Sequence, residues 1–546
     1  MNNQVKKISF RIGILPCIAF VLFVLKAPVT TAQSLTSTPP PIANEYGEYI
    51  ETVQKATFRY FRDFAHPVSG MAPERTATPN IVTTGGTGFG IMAIITGAER
   101  GWISRAEATQ MLQKIVGFLE KADRFHGVWP HWLDGRTGKV VPFSQFDDGG
   151  DLVETAFLVN GLLSARTYFG ENNASEKDLR LRIDKMWREV EWDWHVQNGK
   201  LLWHWSPNHG WKMNHPIRGF DETFITYVLA CGSPTHPVAA QVYENTYKQS
   251  SYYKNGNTYF GYKLPLGMDM GGPLFFTHYS WLTLDPRLMQ DDNVYYWTQN
   301  LHHTLINRAH CLQPRQAMFG YGVGNWGLTA SDDYNFYDAH SPANDNGTIS
   351  PTAALSAFPY TPYYSMQVLR NLYLREGSRL FGPYGFYDAY NKNLNWYSNQ
   401  YLAIDQGPIV VMMENYRSGL FWKLGERTPE LWAGVQKMGI RRPTHPTGFY
   451  AYAPDFRTGY VDLWKHPDQG AFVLDFAVNG TAPVGLAILD EEGKEVRKLI
   501  DSRSFAEGMH QHLFQIQQGK YILELTQGTS RQRLKVFLHE AVNANP

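Results

Sequence analysis

Six apolar stretches, each opened by Gly, Asp, Ser or Pro, divide most of this chain, beginning at Gly85, Gly149, Gly219, Gly271, Ser350 and Asp405. Each reads as the start of a helix that is apolar around most of its circumference, and such a helix has to be enclosed by other elements. Amphipathic candidates alternate with them, at 46–64, 108–119, 176–196, 237–249, 293–311, 363–376 and 430–438. The second of these is preceded by a capping box, Ser104-Arg-Ala-Glu107. Enclosed helices alternating with amphipathic ones predict a mainly α fold of two concentric rings, an (α/α)6 barrel over residues 45–447. The inner helix starts then line one mouth, so acids placed there converge on a common cavity.

Beyond Gly448 the periodicity changes. Alternation in Ala471–Val478, Val484–Leu489 and Tyr521–Leu525, with turns at Asn479-Gly480 and Glu491–Gly493, predicts a small antiparallel β-sandwich over 448–546 that carries no chemistry-bearing cluster. At the other end, Lys6, Lys7 and Arg11 precede an apolar run from Ile12 to Leu25 and a small-residue ending at Ala32. The run is shorter than the roughly 20 residues that span a bilayer, so 1–32 reads as a cleaved signal peptide and 33–44 as a Pro-rich flexible linker. Cys17 makes a poor lipoprotein site, because Pro16 stands where a small residue is needed. The expected product is exported, periplasmic or secreted, free of the membrane after cleavage, and monomeric.

Cleavage would remove four of the 50 Lys and Arg residues and none of the 50 Asp and Glu, leaving 46 bases against 50 acids. Phosphate neutralisation needs a basic surplus, so a nucleic-acid partner is excluded. Cys231 and Cys311 cannot form a framework for so long a chain and read as core thiols. With 14% aromatic and 18% charged residues, the composition suits sugar-stacking surfaces, although a large core also consumes aromatics.

The acids sit at the openings of the apolar stretches. In Asp147-Asp148-Gly-Gly-Asp151-Leu-Val-Glu154, Asp151 and Glu154 share a helix face, and Asp-x-x-Glu is itself a helix cap. Four acids in eight residues exceed what a cap needs, and crowded like charges push one pKa upward, which is how a general acid is made. At Asp221-Glu222, Asp221 suits a cap and Glu222 suits catalysis. Asp405, three residues before Pro408, can be an N-cap or a catalytic acid. Glu414, inside an apolar helix, needs a partner such as Arg417. Among Trp-rich loops, Trp205 and Trp326 are the expected sugar platforms, and His131, Asp332, Glu414 and Arg417 complete the expected substrate-binding set. No zinc-type histidine cluster, nucleophile elbow, P-loop or dinucleotide fingerprint occurs, so neither metal nor cofactor is expected.

Several strings together resemble glycoside hydrolase family 144, the bacterial endo-β-1,2-glucanases of the glucoamylase-like group. They are Thr84-Gly-Gly-Thr-Gly-Phe-Gly-Ile, Asp148-Gly-Gly-Asp-Leu-Val-Glu-Thr, Gly232-Ser-Pro-Thr-His-Pro237, Gly327-Leu-Thr-Ala-Ser-Asp332, Asp345-Asn-Gly-Thr-Ile-Ser-Pro, Ile404-Asp-Gln-Gly-Pro408 and Glu414-Asn-Tyr-Arg417, spanning Tyr46 to Ile440. The resemblance implies an (α/α)6 barrel that hydrolyses β-1,2-glucan with inversion, endo-acting and releasing sophoro-oligosaccharides. Its important acids fall on Asp147, Asp151, Glu154 and Glu222, with Glu222 as the general acid and Asp405 or a member of the Asp147–Glu154 group activating water. The alternatives are an exo-acting, sophorose-releasing hydrolase and a glycan-binding protein without turnover. The acid-rich helix starts argue against mere capture.

Overall fold

The computed structural model describes residues 46–443, 461–465, 472–478, 482–505, 508–517 and 519–538. The signal peptide and linker, the domain boundary at 448 and the Asn479-Gly480 turn lie outside the described residues. The fold is mostly helical. In chain order the helices are α1 (Tyr46–Asp63), α2 (Thr84–Glu99), α3 (Arg105–Leu119), α4 (Leu152–Tyr168), α5 (Ala174–Arg188), α6 (Phe224–Gly232) and α7 (Ala240–Val242, continued by a π-turn to Tyr247). They continue with α8 (Tyr296–Cys311), α9 (Pro351–Leu355), α10 (Pro362–Asn371), α11 (Gly377–Leu380), α12 (Ala403–Ser418), α13 (Leu420–Glu426) and α14 (Pro429–Lys437).

Helices α2, α4 and α6 are buried along nearly their whole length, as all-round apolarity demands. α2 and α4 form the closest pair. A Cβ on Gly88 would stand 2.2 Å from the Phe157 carbonyl oxygen, and one on Gly161 would stand 2.2 Å from that of Gly88. The two backbones therefore touch, and any larger residue at either position would pry them apart. α2 also packs on α12, α4 on α6, α6 on the Tyr279–Trp281 turn, and α9 on α12. Tyr360, just beyond α9, donates its hydroxyl to the Thr277 carbonyl at 2.9 Å and closes this circuit of contacts. Outside it, α1 lies on α2 and α12, α5 on α4, and α14 on α6.

Two of the six apolar stretches depart from the expected long helix. The Gly271 stretch becomes 3₁₀ turns at Leu274–Thr277 and Tyr279–Trp281. Gly271 and Gly272 both take positive φ (95° and 82°), Pro273 follows, and the Tyr360 hydroxyl claims the Thr277 carbonyl that an α-helix would use internally. The Ser350 stretch stops at Leu355, because Pro359 and Pro362 follow too closely for the helix to continue.

At the C-terminal end two antiparallel sheets are present. One has Phe472–Val478 between Val461–Lys465 and Gly508–Phe514, and the other runs Glu495–Arg503, Val484–Leu489, Gly519–Gln527, Ser530–Leu538. Leu474, Phe476, Leu486, Ile488, Leu523 and Leu525 form part of one apolar cluster shared by the two sheets. Among the described residues no helix is long and apolar enough to cross a membrane.

Candidate active site

The start of α4 is pinned to its neighbours through backbone bonds. Gly150 and Asp151 pair antiparallel with Trp205 and His204, the Asp151 N–H donates to the Trp129 carbonyl (2.9 Å), and the Thr84 N–H at the start of α2 donates to His131 (3.1 Å). Asp151 is therefore held in two roles at once. Its Oδ1 caps α4 by accepting from the N–H groups of Val153 (3.0 Å) and Glu154 (2.9 Å), and it also accepts from Trp203 Nε1 (2.9 Å). Its Oδ2 meets His131 Nδ1 at 2.9 Å. Burial works to raise the Asp151 pKa, but His131, His204 and the cap bonds outweigh it and hold the carboxyl ionised. Burial likewise disfavours the charged form of His131, yet Glu154, Asp151 and Asp147 push it up to about 9, so it is an imidazolium at neutral pH.

Glu154, one turn on, reaches across to the first turn of α2. Its Oε2 accepts from the Gly85 N–H (2.8 Å) and from Thr83 Oγ1 (3.4 Å). Burial raises its pKa, His131 opposes, and Asp151 adds to the rise. Asp147 is buried with its Oδ2 3.3 Å from His204 Nδ1 and without a hydrogen-bond partner. His131, Asp147 and Asp151 offer ligand atoms within 4.8 Å of one another, the candidate cation group among the described residues. A cation there would have to displace the proton that joins His131 to Asp151.

Glu222 precedes α6. Its carboxyl is pushed well above the usual range by burial first, and then by the charges of Asp221, Glu154 and Asp151. Those charges tie it electrically to the α4 acids. Asp221 turns back to accept from the Thr223 N–H (3.0 Å) instead of capping α6, and burial lifts it to about 6. Burial and these charges thus favour the neutral, proton-donating form of Glu222, within electrostatic reach of Asp151.

A second acid group lies at the start of α12. Asp405 does not cap this helix: Leu402 occupies the cap position and Asp405 sits inside the first turn, with both carboxyl oxygens buried and unbonded to any N–H. Its carboxyl contacts that of Asp388, which in turn accepts from the Asp332 N–H at 2.7 Å. Asp332 is held by Arg75 (2.7 Å). The Tyr279 hydroxyl lies within electrostatic reach of both groups. Burial raises its pKa, and the charges of Asp405, Glu222 and Glu154 all add to that rise. Acids from α4, from the start of α6 and from α12 therefore converge on one place.

Three of the expected binding residues belong elsewhere. Trp326 is fully buried in the core with Leu328 and Ile349, so its ring faces no opening. Glu414 is fully buried and is gripped by Arg100 at 2.8 and 2.6 Å, not by Arg417. Arg417 instead pairs with Glu51 at 2.7 Å. Glu414 lies nine residues beyond Asp405 on α12, about 14 Å along the axis at 1.5 Å per residue, far from the acid mouth. Trp205 remains partly exposed, edge-on to His126 at 5.3 Å and next to the Asp151 strand.

Sequence reading passed over His204, Trp203, Asp388, Arg75 and Tyr279, since lone residues of common types carry no spacing signal. It also passed over the hairpin Ala330–Asp332/Tyr337–Ala339. Its tip is fixed by Asp333 Oδ1, which accepts from the N–H groups of Asn335 (2.6 Å) and Phe336 (2.8 Å). Phe336 is 87% exposed, Tyr337 46% and Tyr334 40%. The charges of Asp405 and Asp388 nonetheless reach the Tyr337 hydroxyl and add to burial in raising its pKa. An aromatic tip thus stands beside the second acid group.

Residues 214–429 match the Glycoamylase family model, described as "Putative glucoamylase", and residues 52–154 match a family of unknown function, DUF3131. An endo-beta-1,2-glucanase from Chitinophaga pinensis, solved with sophorotriose and glucose, is 51% identical, with a TM-score of 0.72 over 73% of this chain and 100% of that one. The chain belongs to glycoside hydrolase family 144. An exo beta-1,2-glucooligosaccharide sophorohydrolase (non-reducing end) from Parabacteroides distasonis is 44% identical over 431 residues, 74% of this chain. The match covers 60% of that protein, so the chain spans less than two thirds of the curated relative's length. A solved beta-1,2-glucanase from Parabacteroides distasonis is 44% identical, with a TM-score of 0.71 over 73% of this chain and 60% of that one. The family 144 strings read in the sequence include Asp148–Thr155 and Ile404–Pro408, the segments that carry Asp151, Glu154 and Asp405 at the two acid groups.

Proposed function

We propose that this chain is an exported hydrolase of β-1,2-glucan, an (α/α)6 barrel with a C-terminal β-sandwich, that cleaves internal linkages with inversion and releases sophoro-oligosaccharides. The observation that carries the reading is a half-buried Glu222 carboxyl whose neutral form is favoured by burial and by the charges of Asp221, Glu154 and Asp151, with Tyr279 within electrostatic reach of both Glu222 and Asp405. Glu222 gives its proton to the leaving glycosidic oxygen, and Asp405 takes a proton from the water that attacks the anomeric carbon. Asp151 and His131 hold the α4 start as an ion pair, and Glu154 joins it to α2. The leader in residues 1–32 supports export, and the 51% identical relative named as an endo-glucanase supports internal cleavage.

The 44% identical relative named as an exo-acting sophorohydrolase favours a second reading, release of sophorose from the non-reducing end. Digestion of long linear β-1,2-glucan separates the two. A ladder of oligosaccharides in the first minutes is expected, and sophorose as the sole early product overturns endo action. Proton NMR of the newly formed reducing end is expected to show the α-anomer first. Binding without any cleavage would leave only glycan capture.

The hairpin tip gives a substrate-length prediction. If Phe336 stacks on a sugar ring, its loss removes about 0.5–1.5 kcal/mol of contact. Phe336→Ala is expected to raise KM for long glucan by about three- to tenfold, with kcat unchanged. Equal KM values for variant and parent on long chains would remove the tip from the binding surface.

A further inference from the structure

Asp388 has no part in the chemistry set out above, yet its surroundings are built. Its N–H donates to the Gln400 carbonyl (3.0 Å) and its carbonyl accepts from Ser350 Oγ (2.7 Å), so the backbone is anchored on both sides. Asp388 Oδ2 accepts from the Asp332 N–H at 2.7 Å. Its Oδ1 and both Asp405 oxygens are buried and meet no N–H or O–H donor of any other residue, while the two carboxyl groups touch. Arg75, the cation whose charge reaches both, is committed to Asp332 (2.7 Å) and Glu74 (2.9 Å). Glu74 and Asp332 add negative charge, and Tyr60, Tyr279 and Tyr337 are the neutral titratable neighbours. Two buried carboxylates in contact cannot both stay ionised, and a single shared proton turns their repulsion into a charge-assisted O–H···O bond.

We propose that Asp388 is the positioning partner of Asp405, the two carboxyl groups holding one proton and one negative charge between them. The inference rests on the reading of Asp405 as the water-activating residue and deepens it. In the reacting complex the proton lies on Asp388, whose O–H donates to Asp405 and orients its free lone pair. Asp405 then accepts the proton released as the water O–H bond breaks. The water oxygen bonds to the anomeric carbon, the glycosidic C–O bond breaks, and the leaving oxygen takes the Glu222 proton. The pair ends with two protons and Glu222 with none, and exchange with solvent restores both. Burial, with the like charges of the cluster, lifts Asp388 to about 8 and Asp405 well above the carboxylate range, consistent with a proton retained at neutral pH.

The test is Asp388→Asn, whose amide donates to Asp405 without adding a charge or a titrating proton. The acidic limb of the kcat–pH profile is expected to move up by about one pH unit or more, because the shared proton that stabilised the monoanion is gone, with KM for glucan within about twofold of the parent. A limb that stays in place overturns the inference, whatever happens to kcat. Where Asp388→Asn fails to fold, infrared spectroscopy gives the same information from the intact site. A carboxylic-acid C=O band at pH 7 in the parent, absent in Asp405→Asn, supports the shared proton, and spectra without that difference overturn it. The underlying reading fails separately: turnover retained in Asp405→Asn removes Asp405 as the base, whereas an inactive Asp405→Asn with an unmoved Asp388→Asn limb removes only the shared proton.

Discussion

Glu222→Gln is expected to lower kcat on β-1,2-glucan by about 10²- to 10⁴-fold while leaving KM and the melting temperature close to those of the parent. Glutamine keeps the shape and the hydrogen-bonding reach of a neutral glutamic acid but has no proton to give. Burial and the charges of Asp221, Glu154 and Asp151 keep Glu222 protonated above its ordinary range, so the ground state already resembles the amide. The sign of the pH dependence follows. The neutral form is the one the folded state favours, so its contribution is complete at low pH and is lost as pH rises through the raised pKa. Activity should therefore fall on the alkaline side of the profile as Glu222 ionises. Turnover within tenfold of the parent, with the alkaline limb intact in the variant, would exclude Glu222 as the acid.

Arg100→Leu is expected to destabilise the fold by about 3–5 kcal/mol, because it strands a charge instead of merely deleting a contact. Glu414 is fully buried, and Arg100 supplies two of its hydrogen bonds, with Gln54 at 3.2 Å and Ser418 beside it. Those neutral donors cannot neutralise a carboxylate. The double variant Arg100→Leu, Glu414→Leu should recover most of the loss, since replacing both partners by apolar groups leaves no uncompensated charge. Urea denaturation reads both quantities. A single variant within about 1 kcal/mol of the parent, below the range for a broken buried pair, would show that water or Arg417 satisfies Glu414 and that the pair does not hold α12 to α2. Glucan turnover at temperatures well below unfolding should be unaffected in either case, which separates this site from the acid mouth.

The buried helices were legible because their signal is local. A stretch such as Ile91–Ile95 or Ala156–Val159 is apolar on every side, and no partner has to be known to infer that it is enclosed. The α4 acids were legible for a similar reason, as Asp151 and Glu154 meet on one helix face by spacing alone. Capping and convergence turned out to be compatible, with one oxygen of Asp151 serving the helix and the other serving His131. The Gly271 stretch departs from the expected helix where a distant hydroxyl, that of Tyr360, captures the Thr277 carbonyl. Trp326 lies in the core and not on a sugar platform, because a Trp beside Gly and Asn reads alike in an open loop and in a core.

By itself the amino-acid order determined which segments must be helical and buried, and which acids stand at their ends, since periodicity and capping act over three or four residues. The tertiary structure decided the partners. Glu414 found Arg100 across 314 residues and not its neighbour Arg417, His204 came to lie against Asp147, and Asp388 came to touch Asp405. Charge pairing depends on distance in space and on the exclusion of water, and neither exists until the chain has closed on itself.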